Sequence, residues 1–271
     1  MTPAVMWCPN KCVHCWRAIE YTIGDKLPKG IDSPKEIIDG CIKAQRKLLQ
    51  GFNVDTKSKK KQLSKADQEK YKEAQEPTQF AISLSGEPTL YPKIGELIEE
   101  LRKRKKTSFL VSNGLYPEKL KELKKKKQLP TQLYISVNVP NKEMFQIFHR
   151  STIKNAWGKL IESLEIMSKL TCRTVFRMNL VKDLNMKEEQ IKQYAKLIKI
   201  ADPMFVEIKG FMSVGFARQR LGYERMPDFN EMKEFSENLA KETKLKILGK
   251  HERSRAIVLG KNKKDLKIKK V

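Results

Sequence analysis

The chain has 271 residues, which suffices for one large domain with a sizeable core, and its 39% hydrophobic content is too high for a disordered protein. Lys and Arg number 56 against 32 Asp and Glu, which gives a formal net charge of +24 and makes nucleic acid the favoured class of partner. The sequence contains neither an apolar run of about 20 residues nor a signal-peptide pattern. We therefore expect a cytoplasmic protein with no membrane partner.

The first third of the chain predicts a strand, a helix and an insertion. Residues 4–7 are apolar and predict a short buried strand that leads into a loop. A helix begins after Ser33, because Pro34 suits the first helical position and Glu36 completes an S-x-x-E capping box. Residues 53–77 are rich in Lys, Gln, Ser and Glu and predict an exposed insertion, with a solvated helix over residues 64–75.

Beyond the insertion, strands and helices alternate. Together with residues 4–7 they make six strand–helix units, a pattern that predicts right-handed crossovers and a parallel sheet. We interpret residues 1–260 as one α/β barrel, closed or partly closed, with its site at the carboxyl ends of the strands. A last strand at residues 256–259 closes the edge, and residues 261–271 form a loose lysine-rich tail. The predicted strands cover residues 80–84, 109–111, 133–137, 174–180 and 204–208, and the predicted helices cover residues 94–104, 118–127, 157–170, 187–199 and 230–241, the last capped by Asp228.

Three cysteines follow the first predicted strand in the spacing CxxxCxxC, namely Cys8, Cys12 and Cys15. Such clustering suits metal ligation in a reducing compartment better than a disulfide framework. A structural zinc site needs four closed ligands, usually from two CxxC pairs, and the sequence has no second pair. Three thiolates on a cluster of four irons leave one iron open, so we favour a [4Fe–4S] cluster over zinc. Cys41 and Cys172 are predicted to be core residues.

His14 lies inside the cysteine motif. Its planar ring, just before the last cysteine, is well placed to pack against the adenine of a cofactor. A fourth metal ligand is a less favoured alternative, and a solvent-exposed loop histidine stays open as a second one.

Polar residues stand at the ends of the later predicted strands, where a barrel presents them to one mouth. A hydrogen-bonded core network is the alternative explanation, because buried polar groups must be paired. The positions are Ser112 and Asn113, Ser136 and Asn138, Arg177 and Asn179, and Glu207 and Lys209.

The sequence resembles the radical-SAM superfamily, in which CxxxCxxC after the first strand of a partial (β/α)6 TIM-like barrel holds a [4Fe–4S] cluster that binds S-adenosyl-L-methionine (SAM). After the second predicted strand, SLSGEPTLYP matches the glycine-rich element of that superfamily, so the resemblance places Gly86 and Glu87 at the amino group of SAM. The Glu87 carboxylate can also cap the helix that follows. The resemblance further places Asn113, Ser136 and Asn138 near the methionine and ribose parts of SAM, and Arg177 near its carboxylate.

More specifically, the sequence is similar to the wybutosine-biosynthesis family, the 4-demethylwyosine synthases of archaeal type. Members of that family use phenylalanine tRNA with N1-methylguanosine beside the anticodon and add two carbons from pyruvate, so the resemblance implies a lyase-type tRNA-modifying enzyme. It also implies that a 5′-deoxyadenosyl radical takes hydrogen from the N1-methyl group before the carbon radical adds to pyruvate. The shared phrases extend over nearly the whole chain and are MTPAVMWC, KCVHCWR, KAQRKLL, AISLSGEPTLYP, FLVSNG, LPTQLYIS and FVEIKGFMSVGFARQRL.

Lys209 is the candidate for holding pyruvate, as a Schiff base or by pairing its carboxylate, because a lysine in a barrel mouth can act as an amine. A pairing with Glu207 or with a phosphate is the alternative. On this hypothesis Lys209→Ala abolishes the product and still allows SAM cleavage. Arg218 and Arg220 follow a segment of small residues and are the basic residues expected nearest the tRNA.

The resemblance also implies a second iron–sulfur cluster, because archaeal members have three further cysteines upstream of the shared motif. This chain begins at Met1 inside the corresponding phrase, so the ligands of that cluster are not present in it. A shortened form, a segment supplied by another protein and different chemistry are the three explanations. The flavodoxin-like domain of eukaryotic members is absent as well, so we expect a separate electron donor such as ferredoxin or flavodoxin.

Two other functions remain as alternatives. One is a radical-SAM enzyme with different chemistry on RNA, which a missing second cluster would favour. The other is a non-catalytic nucleic-acid-binding barrel, against which the cysteines and the GEP element speak.

Overall fold

The sheet at the centre of the protein has seven strands in the order β1-β2-β3-β4-β5-β7-β6. The computed structural model describes residues 1–52 and 68–268. β1 to β5 run parallel, β7 is antiparallel to β5, and β6 is antiparallel to β7. The predicted α/β class with a parallel sheet is therefore confirmed. The strands are β1 (Gln79–Ile82), β2 (Thr107–Ser112), β3 (Gln132–Ser136), β4 (Arg173–Leu180), β5 (Phe205–Gly210), β6 (Lys246–His251) and β7 (Ala256–Gly260).

Helices connect the parallel strands and bury their apolar faces against the sheet. Two of them begin as predicted, since Ser33 with Glu36 and Asp228 with Glu231 both form complete capping boxes. The helices are α1 (Pro34–Leu49), α2 (Gln68–Ala74), α3 (Ile94–Lys103), α4 (Pro117–Lys125), α5 (Lys142–His149), α6 (Ala156–Met167), α7 (Glu188–Ala201), α8 (Ala217–Leu221) and α9 (Phe229–Thr243).

The strand predicted at residues 4–7 is wrong. The backbone turns there, with the Trp7 N–H donating to the Ala4 carbonyl, and the nearest pairing is an isolated bridge between Cys8 and Gly24. Met1 instead lies along the open edge of β1, where its carbonyl accepts from the Ser83 N–H. The described part of the sheet consequently has five parallel strands rather than six.

Among the described residues, three helices or strands that the sequence did not indicate are β6, α5 and the short α8. β6 is a lysine-bearing edge strand with a register shift between Ile247 and Gly249, so it lacks an apolar alternation. α5 begins at Asn141, whose side chain accepts from the Met144 N–H.

The predicted insertion falls partly outside the described residues, which exclude 53–67. Its described end packs against α1, where the Gln45 side chain donates to the Ala74 carbonyl at 2.8 Å. Two residues of the predicted loose tail make contacts with the rest of the protein, because Lys261 pairs with Asp202 and the Asp265 carbonyl accepts from Arg173.

Apolar side chains between the sheet and its helices form the main core, in which Leu97, Leu164 and Phe176 are fully buried. Within residues 1–52 and 68–268, no helix has the length and apolar character needed to cross a membrane. The core thus fixes the carboxyl ends of five parallel strands at one edge of the sheet.

Candidate active site

A pocket of about 380 Å³ lies at the carboxyl ends of the parallel strands. Each strand from β1 to β5 contributes to it through a residue at or just after its end, as expected for parallel α/β folds. The structure brings every residue predicted for the site into the lining of this pocket. They are Cys8, Cys12, His14, Cys15, Gly86, Glu87, Asn113, Ser136, Asn138, Arg177 and Lys209.

The cysteine loop, residues 8–15, has no helix or strand of its own and is held on one side by the end of α5. The Lys11 and Val13 N–H groups donate to the carbonyls of His149 and Phe148, each at 2.9 Å. His149 also places its Nδ1 atom 3.1 Å from the Cys12 sulfur. No pattern in the sequence indicated α5, so His149 was not among the predicted site residues.

The opposite side of the cysteine loop is held by the segment around α8. The Arg220 side chain is only 17% exposed, and its guanidinium donates to the carbonyls of Val13, Cys15 and Arg17. The Phe216 N–H donates to the Trp16 carbonyl at 2.9 Å. That Arg220 lies nearest the tRNA stays a prediction, and its donors are engaged with the backbone around Cys15.

Gly215 explains how the two segments come so close. Its φ of +55° is in the left-handed region, and a Cβ atom on it would lie 2.3 Å from the Trp16 carbonyl oxygen. Only glycine meets both conditions without strain.

The three cysteines of this loop have the character of cluster ligands. All are free thiols. Burial raises the pKa of Cys8 to about 12 and that of Cys12 well above its usual value, so their ionisation at neutral pH requires a nearby positive charge such as bound iron.

A single-ion site fits less well than a cluster. In the described ranges, no three His, Cys, Asp or Glu side chains are arranged to hold one metal ion. Three thiolates of an iron–sulfur cluster each bind a different iron, so they need not converge on one point. The residues present consequently fit a [4Fe–4S] cluster better than zinc.

Glu87 ties the end of β1 to the end of β2. It is 2% exposed, and its Oε1 accepts from the Thr89 N–H, the Thr89 hydroxyl and the Ser112 hydroxyl. Its Oε2 accepts from the Asn113 N–H at 2.7 Å and has room for a further donor. The predicted cap is present on the short 3₁₀ turn Pro88–Leu90. Burial raises the pKa of Glu87, an effect that a cationic ligand would oppose.

Gly86 is required where the GEP element packs against the backbone of residues 4–7, just before the cysteine loop. Its φ is +69°, and a Cβ atom would lie 1.6 Å from the Ala4 carbonyl oxygen. The element is therefore packed directly against the backbone that precedes Cys8.

His14 is not a solvent-exposed loop histidine, so that alternative is wrong. Its ring stacks on Phe148 with centroids 4.9 Å apart, and its Nε2 lies 3.4 Å from the Asn138 amide nitrogen. Burial lowers the pKa of His14 to about 4, so the ring is neutral at physiological pH. A neutral ring with one face covered suits a stacking role.

Several buried polar atoms of the pocket have no hydrogen-bond partner among residues 1–52 and 68–268. They are the Asn10 Oδ1, the His14 Nδ1, the Asn113 Nδ2 and the His149 Nε2. Buried polar groups are costly when unpaired, so these atoms indicate a polar ligand in the pocket. The alternative of a self-satisfied polar core network does not account for them.

Arg177 and Lys209 occupy neighbouring strands, with different partners. Arg177 Nε lies 3.2 Å from Glu207 Oε2, and its guanidinium lies 5.8 Å from the Tyr134 ring centroid. In the part of the chain that the structure describes, Lys209 has no ion pair. The alternative in which Glu207 pairs with Lys209 is thus wrong, since Glu207 pairs with Arg177.

Comparison with known proteins decides the family. The Radical SAM superfamily profile matches residues 3–195, and a profile for wyosine base formation matches residues 200–261. A relative from Pyrococcus horikoshii, the S-adenosyl-L-methionine-dependent tRNA 4-demethylwyosine synthase, is 45% identical over 89% of this chain and 68% of its own length. The chain belongs to this family of radical-SAM enzymes. The predicted resemblance is confirmed, and with it the [4Fe–4S] cluster and SAM that the superfamily implies.

Other relatives agree in sequence and in structure. The synthase of Methanocaldococcus jannaschii is 31% identical over 95% of this chain and 79% of its own length. A solved structure of TYW1 with a lysine–pyruvate adduct bound has a TM-score of 0.80 at 30% identity, covering 97% of this chain and 79% of that one. This likeness confirms the predicted partial barrel. The chain spans only 33% of the Schizosaccharomyces pombe synthase, to which it is 35% identical over 88% of its own length.

Proposed function

We propose that this enzyme converts N1-methylguanosine beside the anticodon of phenylalanine tRNA into 4-demethylwyosine, with pyruvate as the source of two carbons. The observation that carries the proposal is one pocket that contains both the three-cysteine loop and Lys209, a lysine without an ion pair among the residues that the structure describes. The relatives are named for the same product, and the similar TYW1 structure holds a lysine–pyruvate adduct.

Cys8, Cys12 and Cys15 would hold the cluster, and the open edge of Glu87 Oε2 would accept from the ammonium group of SAM. When bound, the reduced cluster and SAM supply a radical that abstracts hydrogen from the substrate. Because Gly86 has no side chain, the amino acid part of SAM could approach the backbone closely at this position.

The remaining polar residues would orient SAM within the pocket. The amide nitrogen of Asn113, which has no partner among the described residues, and the Ser136 side chain would contact the methionine and ribose parts, and the neutral His14 ring would cover the adenine. Asn138 supports that ring through its 3.4 Å contact with His14. Arg177 retains donors beyond its Glu207 contact for the carboxylate of SAM.

Lys209 would hold pyruvate as a Schiff base. The neutral Nζ amine attacks the ketone carbon of pyruvate, the carbon–nitrogen double bond forms, and the ketone oxygen leaves as water. The lack of an ion partner for Lys209 among the described residues keeps this amine available.

The test combines trapping with substitution. Treating the wild-type enzyme with labelled pyruvate and cyanoborohydride should leave one reduced pyruvate adduct on Lys209, located by peptide mass spectrometry. Lys209→Ala and Lys209→Arg should carry no adduct and make no 4-demethylwyosine from methylated tRNA. Lys182→Ala is the matched control, because Lys182 pairs with Glu231 and does not line the pocket.

Two outcomes would contradict this assignment. Full product formation by Lys209→Ala would exclude any role in holding pyruvate. Full product formation by Lys209→Arg would indicate pairing with the pyruvate carboxylate, because arginine keeps the charge and cannot form the Schiff base.

The cysteines of this chain supply ligands for one cluster. Cys41 and Cys172 pack against the hydrophobic core, as predicted. Iron quantitation after anaerobic reconstitution should therefore give about four irons per chain, and about eight would require ligands for a second cluster.

We propose a separate ferredoxin or flavodoxin as the electron donor. The +24 charge supports a tRNA substrate through its phosphates. The affinity for tRNA should therefore fall steeply with salt, whereas a flat dependence would count against the electrostatic part of the proposal.

A further inference from the structure

A second cavity, of about 440 Å³, lies beside the active-site pocket and shares a wall with it. The side chains of Trp16 and Arg17 line both spaces. Tyr21 and Phe216 line only the second one, which we call the aromatic cavity. Its volume falls within the range of small-ligand sites.

The walls of the aromatic cavity are exposed and yet held in place. Trp16 is 43% exposed, Tyr21 69% and Phe216 44%. The Trp16 indole N–H donates to the Leu84 carbonyl at 3.1 Å, and the Phe216 N–H donates to the Trp16 carbonyl at 2.9 Å. The solvated Trp16 ring is thus fixed by its own hydrogen bond and the Phe216 backbone is tied to it, so this part of the surface loses little side-chain freedom on binding.

One cationic side chain lies against a wall of the aromatic cavity, and a second stacks on an exposed ring outside that cavity. The Arg17 guanidinium lies 5.7 Å from the centroid of the Trp16 ring, and the Arg218 guanidinium lies 4.4 Å from that of Tyr223, a 57% exposed residue beyond α8. Exposed aromatic rings combined with arginines are typical of proteins that bind single-stranded nucleic acid, where bases stack and phosphates pair with the cations.

We propose that the aromatic cavity binds the nucleobase next to the target guanosine in the anticodon loop. This inference rests on the proposed tRNA substrate. With the target base in the active-site pocket, the adjacent nucleotide is covalently tethered close by, and the aromatic cavity is the adjoining space that shares a wall with that pocket. A concave site with aromatic walls suits a single base better than the flatter face of a partner protein.

The experiment measures binding of an anticodon stem–loop RNA that carries N1-methylguanosine, by fluorescence anisotropy, to cluster-loaded enzyme. Phe216→Ala and Tyr21→Ala should each weaken binding roughly 5- to 100-fold, the usual effect of losing one base–aromatic stack. Phe216→Tyr keeps the ring and should restore the affinity. The slope of affinity against salt should stay unchanged, because stacking releases no counterions.

Phe52→Ala is the matched control, because Phe52 is 53% exposed and lines neither cavity. It should bind the RNA as tightly as wild type. Iron content and melting temperature are measured for each variant, so that a misfolded protein is recognised.

Three results overturn the inference while the proposed function stands. One is a wild-type enzyme that makes product while both alanine variants keep its RNA affinity. Another is an equal loss of affinity in Phe52→Ala. The third is unchanged RNA affinity with slower reduction by flavodoxin, which would make the cavity a docking surface for the electron donor. Failure of the wild type to modify the RNA would instead overturn the proposed function.

Discussion

Arg220 is expected to decide whether the cysteine loop keeps its iron. Its half-buried guanidinium donates to three carbonyls that bracket Cys15, and no other side chain among the described residues makes such a set of contacts to this loop. Arg220→Met keeps much of the length and the apolar stem and removes all of these donors.

The expected size of the effect follows from these contacts. A hydrogen bond from a charged donor contributes about 1.5–3 kcal/mol, but the freed carbonyls can recruit water, so the three do not add fully. We expect a loss of about 2–4 kcal/mol in the free energy of unfolding. For a chain of this size that lowers the melting temperature by about 4–8 °C.

Iron retention is the more specific readout. Residues that orient metal ligands typically change metal affinity about 10- to 100-fold, so iron release from the reconstituted Arg220→Met variant to a chelator should be faster by a similar factor. Arg220→Lys keeps the charge and lacks the planar guanidinium, so its rate of iron release should lie between those of wild type and Arg220→Met.

Arg218→Met is the matched control, since Arg218 lies two residues away, is exposed and stacks on Tyr223. It should hold iron as well as wild type. Equal iron retention and equal melting temperatures in Arg220→Met and wild type would refute the role of Arg220 in holding the loop.

Three further predictions concern the same region and the core. Gly86→Ala should lower the free energy of unfolding by about 3 kcal/mol or more in a thermal melt, because its new methyl group would meet a backbone carbonyl at 1.6 Å. Gly40→Ala, on an open face of α1, should instead raise it by about 0.5–1 kcal/mol. Equal effects of the two substitutions would refute the close-packing argument. His149→Phe removes a nitrogen that lies 3.1 Å from the Cys12 sulfur, so the reduction potential of the cluster should become more negative. A redox titration followed by electron paramagnetic resonance measures this potential. An unchanged potential would exclude a hydrogen bond to that sulfur. Burial raises the pKa of Cys172 to about 11, so at pH 9 only about one per cent of this thiol is ionised against about half of an ordinary one, and its alkylation should be slow. Because the folded-state pKa is raised, the contribution of this thiol to stability is present below pH 9 and is lost as the pH rises toward 11. The Cys172→Ser variant should not show this loss.

Local signals in the sequence predicted the elements whose causes are local. The capping boxes at Ser33 and Asp228 marked two helix starts, because a cap and its N3 partner lie within four residues. Residues 4–7 misled for the same reason, since four apolar residues suggest a strand and only the tertiary structure shows that no strand pairs with them. β6 was not predicted because an edge strand with lysines lacks the alternation of apolar and polar residues that marks a half-buried strand.

The polar residues of the site could be predicted for a different reason. Parallel strands that alternate with helices all end at one edge of the sheet, so Asn113, Arg177 and Lys209 converge although the sequence separates them by as many as 96 positions. Topology supplies the convergence, and the strand pattern is enough to infer that topology. Roles within the pocket are a finer matter, because the pairing of Arg177 with Glu207 depends on side-chain positions that no spacing encodes.

The cysteine loop could be located in the sequence, but not the way it is held. It has no regular structure, so its shape depends on contacts with α5 on one side and with Gly215, Phe216 and Arg220 on the other. The second set lies in residues 200–261, the part that matches the wyosine profile, whereas the cysteines lie in the part that matches the general superfamily. Lys209 belongs to that same later part. The segment that would hold pyruvate therefore also fixes the loop that would hold the cluster, so a change that displaces this segment, unlike replacement of the exposed Arg218, should disturb both the iron and the substrate.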